Sequence, residues 1–257
     1  MTRHIALEGV DNFRDFGDYP TVGGRRLKRG ALYRSASHSR ATDADLERLA
    51  ALEIAVVVDL RRREEREREP SRRPANFTGR VIANDTGDEE DSWFAHIASA
   101  DLTAESFRAY LVDYYRAAPF DARHIDLFAR YFQALAAADG PVLIHCAAGK
   151  DRTGILAALT HHLAGVHPDD IAGDYLLTND PERMARRLPL VSQAIREASG
   201  RVPDEAAVMT AMGVDTLYLD TAFGAMAERF GSVDTYLERA LGLDSAVRDA
   251  VAERLLA

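Results

Sequence analysis

Residues 142–154 admit few folds. Val142-Leu143-Ile144 is a short apolar run set off by Gly140-Pro141. It leads through His145-Cys146-Ala147-Ala148-Gly149-Lys150-Asp151-Arg152 into a helical pattern from Thr153 onward. Without the alternation of a half-solvated strand, such a run reads as a strand buried on both faces, as in a parallel sheet. The β-branched run Ile54-Ala55-Val56-Val57-Val58-Asp59-Leu60 reads the same way. A buried strand that turns through small residues into a helix gathers backbone N–H groups and a helix N-terminus around one point. That makes an anion site.

The rest of the chain fits an α/β arrangement. Val22-Gly23-Gly24-Arg25 is a turn signal, and Leu27 and Leu32-Tyr33 around Arg29-Gly30 read as a small hairpin. Thr42 or Asp43 caps a helix carrying Leu46, Leu49 and Leu52 on one face. Arg61–Glu69 is nearly all charge and reads as a solvated helix ended by Pro70 and Pro74. Arg80-Val81-Ile82 is a short strand, and Asp85–Asp91 an acidic loop. Residues 92–138 follow helical spacing throughout, and from Thr153 the chain is mainly helical. The expected architecture is one α/β domain over residues 1–257 with a helical C-terminal third.

Composition removes several function classes. The 257 residues carry 41 Asp+Glu against 32 Lys+Arg, a net charge of -9. This argues against a nucleic-acid partner, although a few convergent donors can still make a local anion site. No run of roughly 18 apolar residues occurs, so no integral membrane segment is expected. The opening MTRHIALEGVDNFRDFG has no apolar leader core, which predicts a cytoplasmic chain. Cys146 is the one cysteine, so an internal disulfide and a Cys-rich zinc site are excluded.

That cysteine sits where the strand ends and the loop begins, in a field that stabilises a thiolate nucleophile. Ala147, Ala148 and Gly149 are small enough for backbone to approach a ligand. Arg152 can grip a phosphate with two parallel hydrogen bonds, and Lys150 adds charge. A nucleotide-binding P-loop needs Ser or Thr after Gly-Lys, and Asp151 stands there instead. His145 and Cys146 are too few for a metal, so no metal and no cofactor is expected. An inert buried cysteine leaves the joint placement of Gly149, Lys150, Arg152 and Thr153 unexplained.

Cys, five residues, Arg and Thr resembles the phosphate loop of the cysteine-dependent phosphatases. The string HCAAGKDRTG at 145–154 is similar to that of the atypical bacterial protein tyrosine/lipid phosphatases of the Tyr_phosphatase3 type. Asn12-Phe13-Arg14-Asp15, Tyr33-Arg34-Ser35, Asp59-Leu60-Arg61 and Tyr175-Leu176-Leu177-Thr178-Asn179 resemble further elements of that family. The resemblance implies a central, mostly parallel sheet flanked by helices, and a helical lid near residues 92–118. It implies a phosphomonoester hydrolase acting on a phosphotyrosine protein or a phosphoinositide, the latter suggested by Lys150; a monomer is the expected oligomeric state. The alternative is a catalytically silent phosphate-recognising module.

The roles it implies are specific. Cys146 attacks phosphorus, Arg152 and the loop N–H groups of 147–152 hold the phosphate oxygens, and Thr153 donates to the departing sulfur. Asp151 is the general acid by family assignment, with Asp59 as the alternative acid or as a partner that orients the loop. Arg61 is expected at the substrate, Lys150 at a head group, and His145 as a support of the loop.

Overall fold

The computed structural model describes residues 3–87 and 92–257. Its sheet has five strands: β1 (Arg14–Asp15), β2 (Leu32–Ser35), β3 (Val56–Asp59), β4 (Arg80–Ile82) and β5 (Val142–His145). Their order is β1-β2-β5-β3-β4, with β2, β5, β3 and β4 parallel and only β1 antiparallel. β5 is therefore the central strand. Leu32, Val56, Val58, Val142 and Ile144 face the larger core, whereas Tyr33, Val57 and Leu143 face a smaller one. Every residue of β2, β3 and β5 is buried, and that is why their sequences run apolar without alternating.

Twelve α-helices lie among the described residues. They are α1 (Asp43–Ala50), α2 (Arg63–Arg68), α3 (Ser92–Ser99), α4 (Ala104–Ala117), α5 (Ala122–Ala137), α6 (Asp151–Leu163), α7 (Pro168–Leu176), α8 (Pro181–Ser199), α9 (Glu205–Met212), α10 (Thr216–Phe230), α11 (Val233–Arg239) and α12 (Ser245–Leu255). α1 begins at a capping box, in which Thr42 accepts from Asp45 N–H and Asp45 accepts from Thr42 N–H. The smaller core takes Leu49 of α1, and the larger one takes the buried faces of α5, α6, α10, α11 and α12. No helix of the described residues is long and apolar enough to cross a membrane.

Two expectations need correction, and a third falls partly outside the described residues. Leu27 and Leu32 do not form a hairpin: Leu27 pairs with Tyr19 and Leu256, and Leu32–Ser35 joins the sheet. Burial outweighs the local turn signal, because Leu27 and Leu32 are both in the larger core. Residues 92–138 are three helices, not one run. The N-caps Thr103 and Asp121 restart the chain, and Pro119 sits in a short 3-10 turn at Ala118–Phe120. The acidic loop at 85–91 lies in part outside the described residues.

Candidate active site

β5 delivers Cys146 to the carboxyl edge of the sheet, between β2 and β3. The side chain is 2% exposed, yet it lines a cavity of about 560 Å³. After it the backbone turns through Gly149, at φ +67°, and enters α6 at Asp151. A Cβ at Gly149 would stand 2.4 Å from the carbonyl carbon and oxygen of Ser35, so only glycine fits. Among the described residues, no backbone N–H from Ala147 to Arg152 donates to another protein group. The result is a run of open donors at a helix N-terminus, the arrangement that binds phosphate oxygens.

The loop is held from behind. Asn12 Nδ2 and Arg34 Nη2 donate to Gly149 O at 2.9 and 3.1 Å, and Ser37 N–H donates to Ala147 O at 3.0 Å. Arg34 and Arg14 are themselves paired to the buried Asp174, at 2.7 and 3.3 Å. Burial works against ionising Asp174, but the two guanidiniums outweigh it and hold the carboxyl below the usual range. The Asn12–Asp15 and Tyr33–Ser35 segments thus meet behind one loop.

Arg152 is clamped by Glu65 of α2, Nη1 to Oε2 at 2.5 Å and Nη2 to Oε1 at 2.8 Å. Burial opposes the guanidinium charge, and Glu65 more than restores it, so Arg152 titrates well above its ordinary value. Leu60 O accepts from Arg152 at 3.2 Å and from Arg123 at 2.7 Å. Lys150 is buried. Its ammonium donates to Ala211 O and, at 3.3 Å, to Gly213 O, and burial pushes its pKa down. Asp151 lines the cavity and accepts from Tyr115 Oη at 3.0 Å. Thr153 Oγ1 is buried without a hydrogen-bond partner among the described residues, so it makes no bond to the sulfur here.

Asp59 and Arg61 stand elsewhere than the sequence suggested. Arg61 Nε and Nη2 grip the Asp59 carboxylate at 2.9 and 2.7 Å, and the remaining guanidinium bonds go to Ser37, Ser71 and Glu69 O. Neither residue lines the cavity. Burial alone would raise the Asp59 pKa, but His145 and the paired Arg61 hold it below the carboxylate range. In this structure the Asp59 carboxylate is held by Arg61, whose guanidinium N–H groups are all engaged with protein partners. His145 packs against His38, with Nε2 3.6 Å from Asp59 and Nδ1 3.4 Å from Cys146 O; burial lowers its pKa.

The segment at 92–118 forms one cavity wall, through Trp93, Phe94, Ile97, Tyr110, Leu111 and Tyr114. Sequence reasoning missed Glu65, Tyr115 and Asp174. Glu65 was hidden inside a balanced charge run, and its one signal was its place three residues after the N-cap Arg62, whose N–H it accepts at 2.7 Å.

Comparison with known proteins gives the same picture over the whole chain. The family model described as the tyrosine phosphatase family matches residues 5–257. A Cupriavidus necator protein assigned as a tyrosine-protein phosphatase is 35% identical, over 95% of this chain and 86% of its own length. The triple specificity protein phosphatase PtpB of Mycobacterium tuberculosis is 31% identical, over 97% of this chain and 96% of its own length. A tyrosine-protein phosphatase of Nostoc commune is 32% identical, over 62% of this chain and 52% of its own length. With a strand-end cysteine, a run of open amides and a braced arginine in one loop, the chain belongs to the tyrosine phosphatase family.

Proposed function

We propose that the chain hydrolyses phosphate monoesters through a cysteinyl-phosphate intermediate built on residues 145–154. Cys146 sulfur attacks phosphorus in line. The open N–H groups of 147–152 and the Arg152 guanidinium take the phosphate oxygens, whose charge spreads in the transition state. Asp151, at the cavity surface, gives a proton to the leaving oxygen. Water then attacks the phosphocysteine and gives a proton to the Asp151 carboxylate, while the S–P bond breaks, its pair returns to sulfur, and the Thr153 hydroxyl donates to that sulfur. Lys150 acts by its charge rather than by direct contact, because two carbonyls already hold its ammonium.

The observation that carries this reading is the set of unpaired amides beside Cys146 and Arg152. Phosphotyrosine is the substrate we favour, since Trp93, Phe94, Ile97, Leu111 and Leu190 offer apolar walls to an aryl ring. Phosphoinositide is the second substrate, supported by Arg40, Arg62, Arg68 and Arg187 in the same cavity. The working unit is a monomer, a single domain over 1–257 whose α3–α4 segment covers the pocket, because one chain completes the site. A lone nucleophilic thiol suits the reducing cytoplasm.

The test is Cys146→Ser against a phosphotyrosine peptide and a phosphoinositide, with EDTA present. Turnover of both is expected to vanish while the peptide still binds. Turnover that survives the substitution would overturn the mechanism.

A further inference from the structure

We propose that Tyr115, backed by Tyr175, is the positioning residue that sets Asp151 for proton delivery. This rests on Asp151 being the general acid. Tyr115 Oη donates to Asp151 Oδ1 at 3.0 Å and lies 2.6 Å from Tyr175 Oη. Tyr115 has one hydroxyl proton, and Asp151 receives it. Tyr175 must then be the donor between the tyrosines, so the chain runs one way, Tyr175 to Tyr115 to Asp151. Bonds aligned in this manner polarise one another.

The three residues come from α7, α4 and α6, and packing fixes each ring. Tyr115 and Tyr175 are 0% and 1% exposed. Tyr115 stacks on Tyr218 with centroids 5.4 Å apart. Gly154 makes room for Tyr175, since a Cβ there would stand 2.7 Å from its ring. Burial raises both hydroxyls well above their ordinary pKa, so both keep their protons. With Oδ1 occupied, Oδ2 carries the acid proton. That proton passes to the leaving oxygen as the P–O bond breaks; the bond pair stays on that oxygen, and the sulfur pair makes the S–P bond. Without the Tyr115 hydroxyl, Oδ1 is drawn to the Lys150 ammonium 3.6 Å away, and the carboxyl turns from its delivery position.

Acid catalysis matters most for poor leaving groups, and this separates positioning from mere folding. Tyr115→Phe keeps the ring and its packing. It is expected to lower kcat about tenfold on phenyl phosphate and under about threefold on p-nitrophenyl phosphate, with KM unchanged. Tyr175→Phe should shift the same ratio by a smaller factor, and it carries the test if Tyr115→Phe does not fold. Added to Asp151→Asn, Tyr115→Phe should cost nothing more. Equal losses on the two substrates, or none, would overturn the proposal. If Asp151→Asn itself shows no leaving-group dependence, the acid assignment fails first.

Discussion

Glu65 shows how much one residue can decide. Arg152 has to present a planar fork to phosphate, and a free arginine has many rotamers to lose in doing so. The bidentate bond to Glu65 removes them before substrate arrives. Burial would raise the Glu65 pKa, but the Arg152 guanidinium outweighs it and brings the carboxyl down to about 2, from an ordinary 4.5. The folded carboxyl thus binds a proton less readily than the unfolded one. Its contribution to stability is complete above pH 4.5 and is lost as pH falls toward about 2. Glu65→Gln is therefore expected to lower the melting temperature at pH 7 and to match the parent protein near pH 2. It should also reduce kcat/KM at pH 7 by at least about tenfold, as the arginine loses its brace. Melting curves across pH that stay parallel from 7 to 3 and below would show that the pair adds nothing.

At the level of elements, the loop is set by strands and helices that never touch the cavity. Asp174 of α7 joins Arg14 of β1 to Arg34 of β2, and Arg34 reaches Gly149 O. Burial and the neighbouring Arg34 bring Arg14 down to about 10, still charged at neutral pH. Removing the carboxylate would leave two buried cations facing each other, and breaking a buried pair in this way costs about 3–5 kcal/mol. Asp174→Asn is expected to lower unfolding free energy by that amount in urea titration; a loss under about 1 kcal/mol would contradict it. The short segments holding Arg14 and Arg34 were visible in the sequence, but not Asp174, which joins them. Arg14 and Asp174 are 160 positions apart, and no local periodicity reports such a pairing. The buried strands at 56–59 and 142–145 were legible because both their faces are covered, which leaves an apolar run in the sequence. Asp59-Leu60-Arg61 misled for the opposite reason. Arg61 turns back on Asp59 two residues away, and a spacing cannot tell a substrate ligand from a pair closed on itself.

Across the whole molecule the charge is unevenly placed. The chain carries -9 overall, yet eight cationic side chains line the cavity against five carboxylates. A phosphorylated substrate far from the surface meets a repelling field, and within one Debye length, about 10 Å at 0.1 M salt, it meets an attracting one. Arg40 stands 71% exposed at this cavity, so its field reaches incoming substrate without first crossing buried protein. The near field should govern capture, because the distant one is screened first. Raising salt from about 0.05 to about 0.5 M is therefore expected to lower kcat/KM several-fold through KM, with kcat held. The drop should be larger for a doubly phosphorylated peptide than for p-nitrophenyl phosphate, and Arg40→Glu should flatten it. A kcat/KM that rises with salt would mean that the overall negative charge controls encounter and that the cavity arginines serve the walls rather than the substrate.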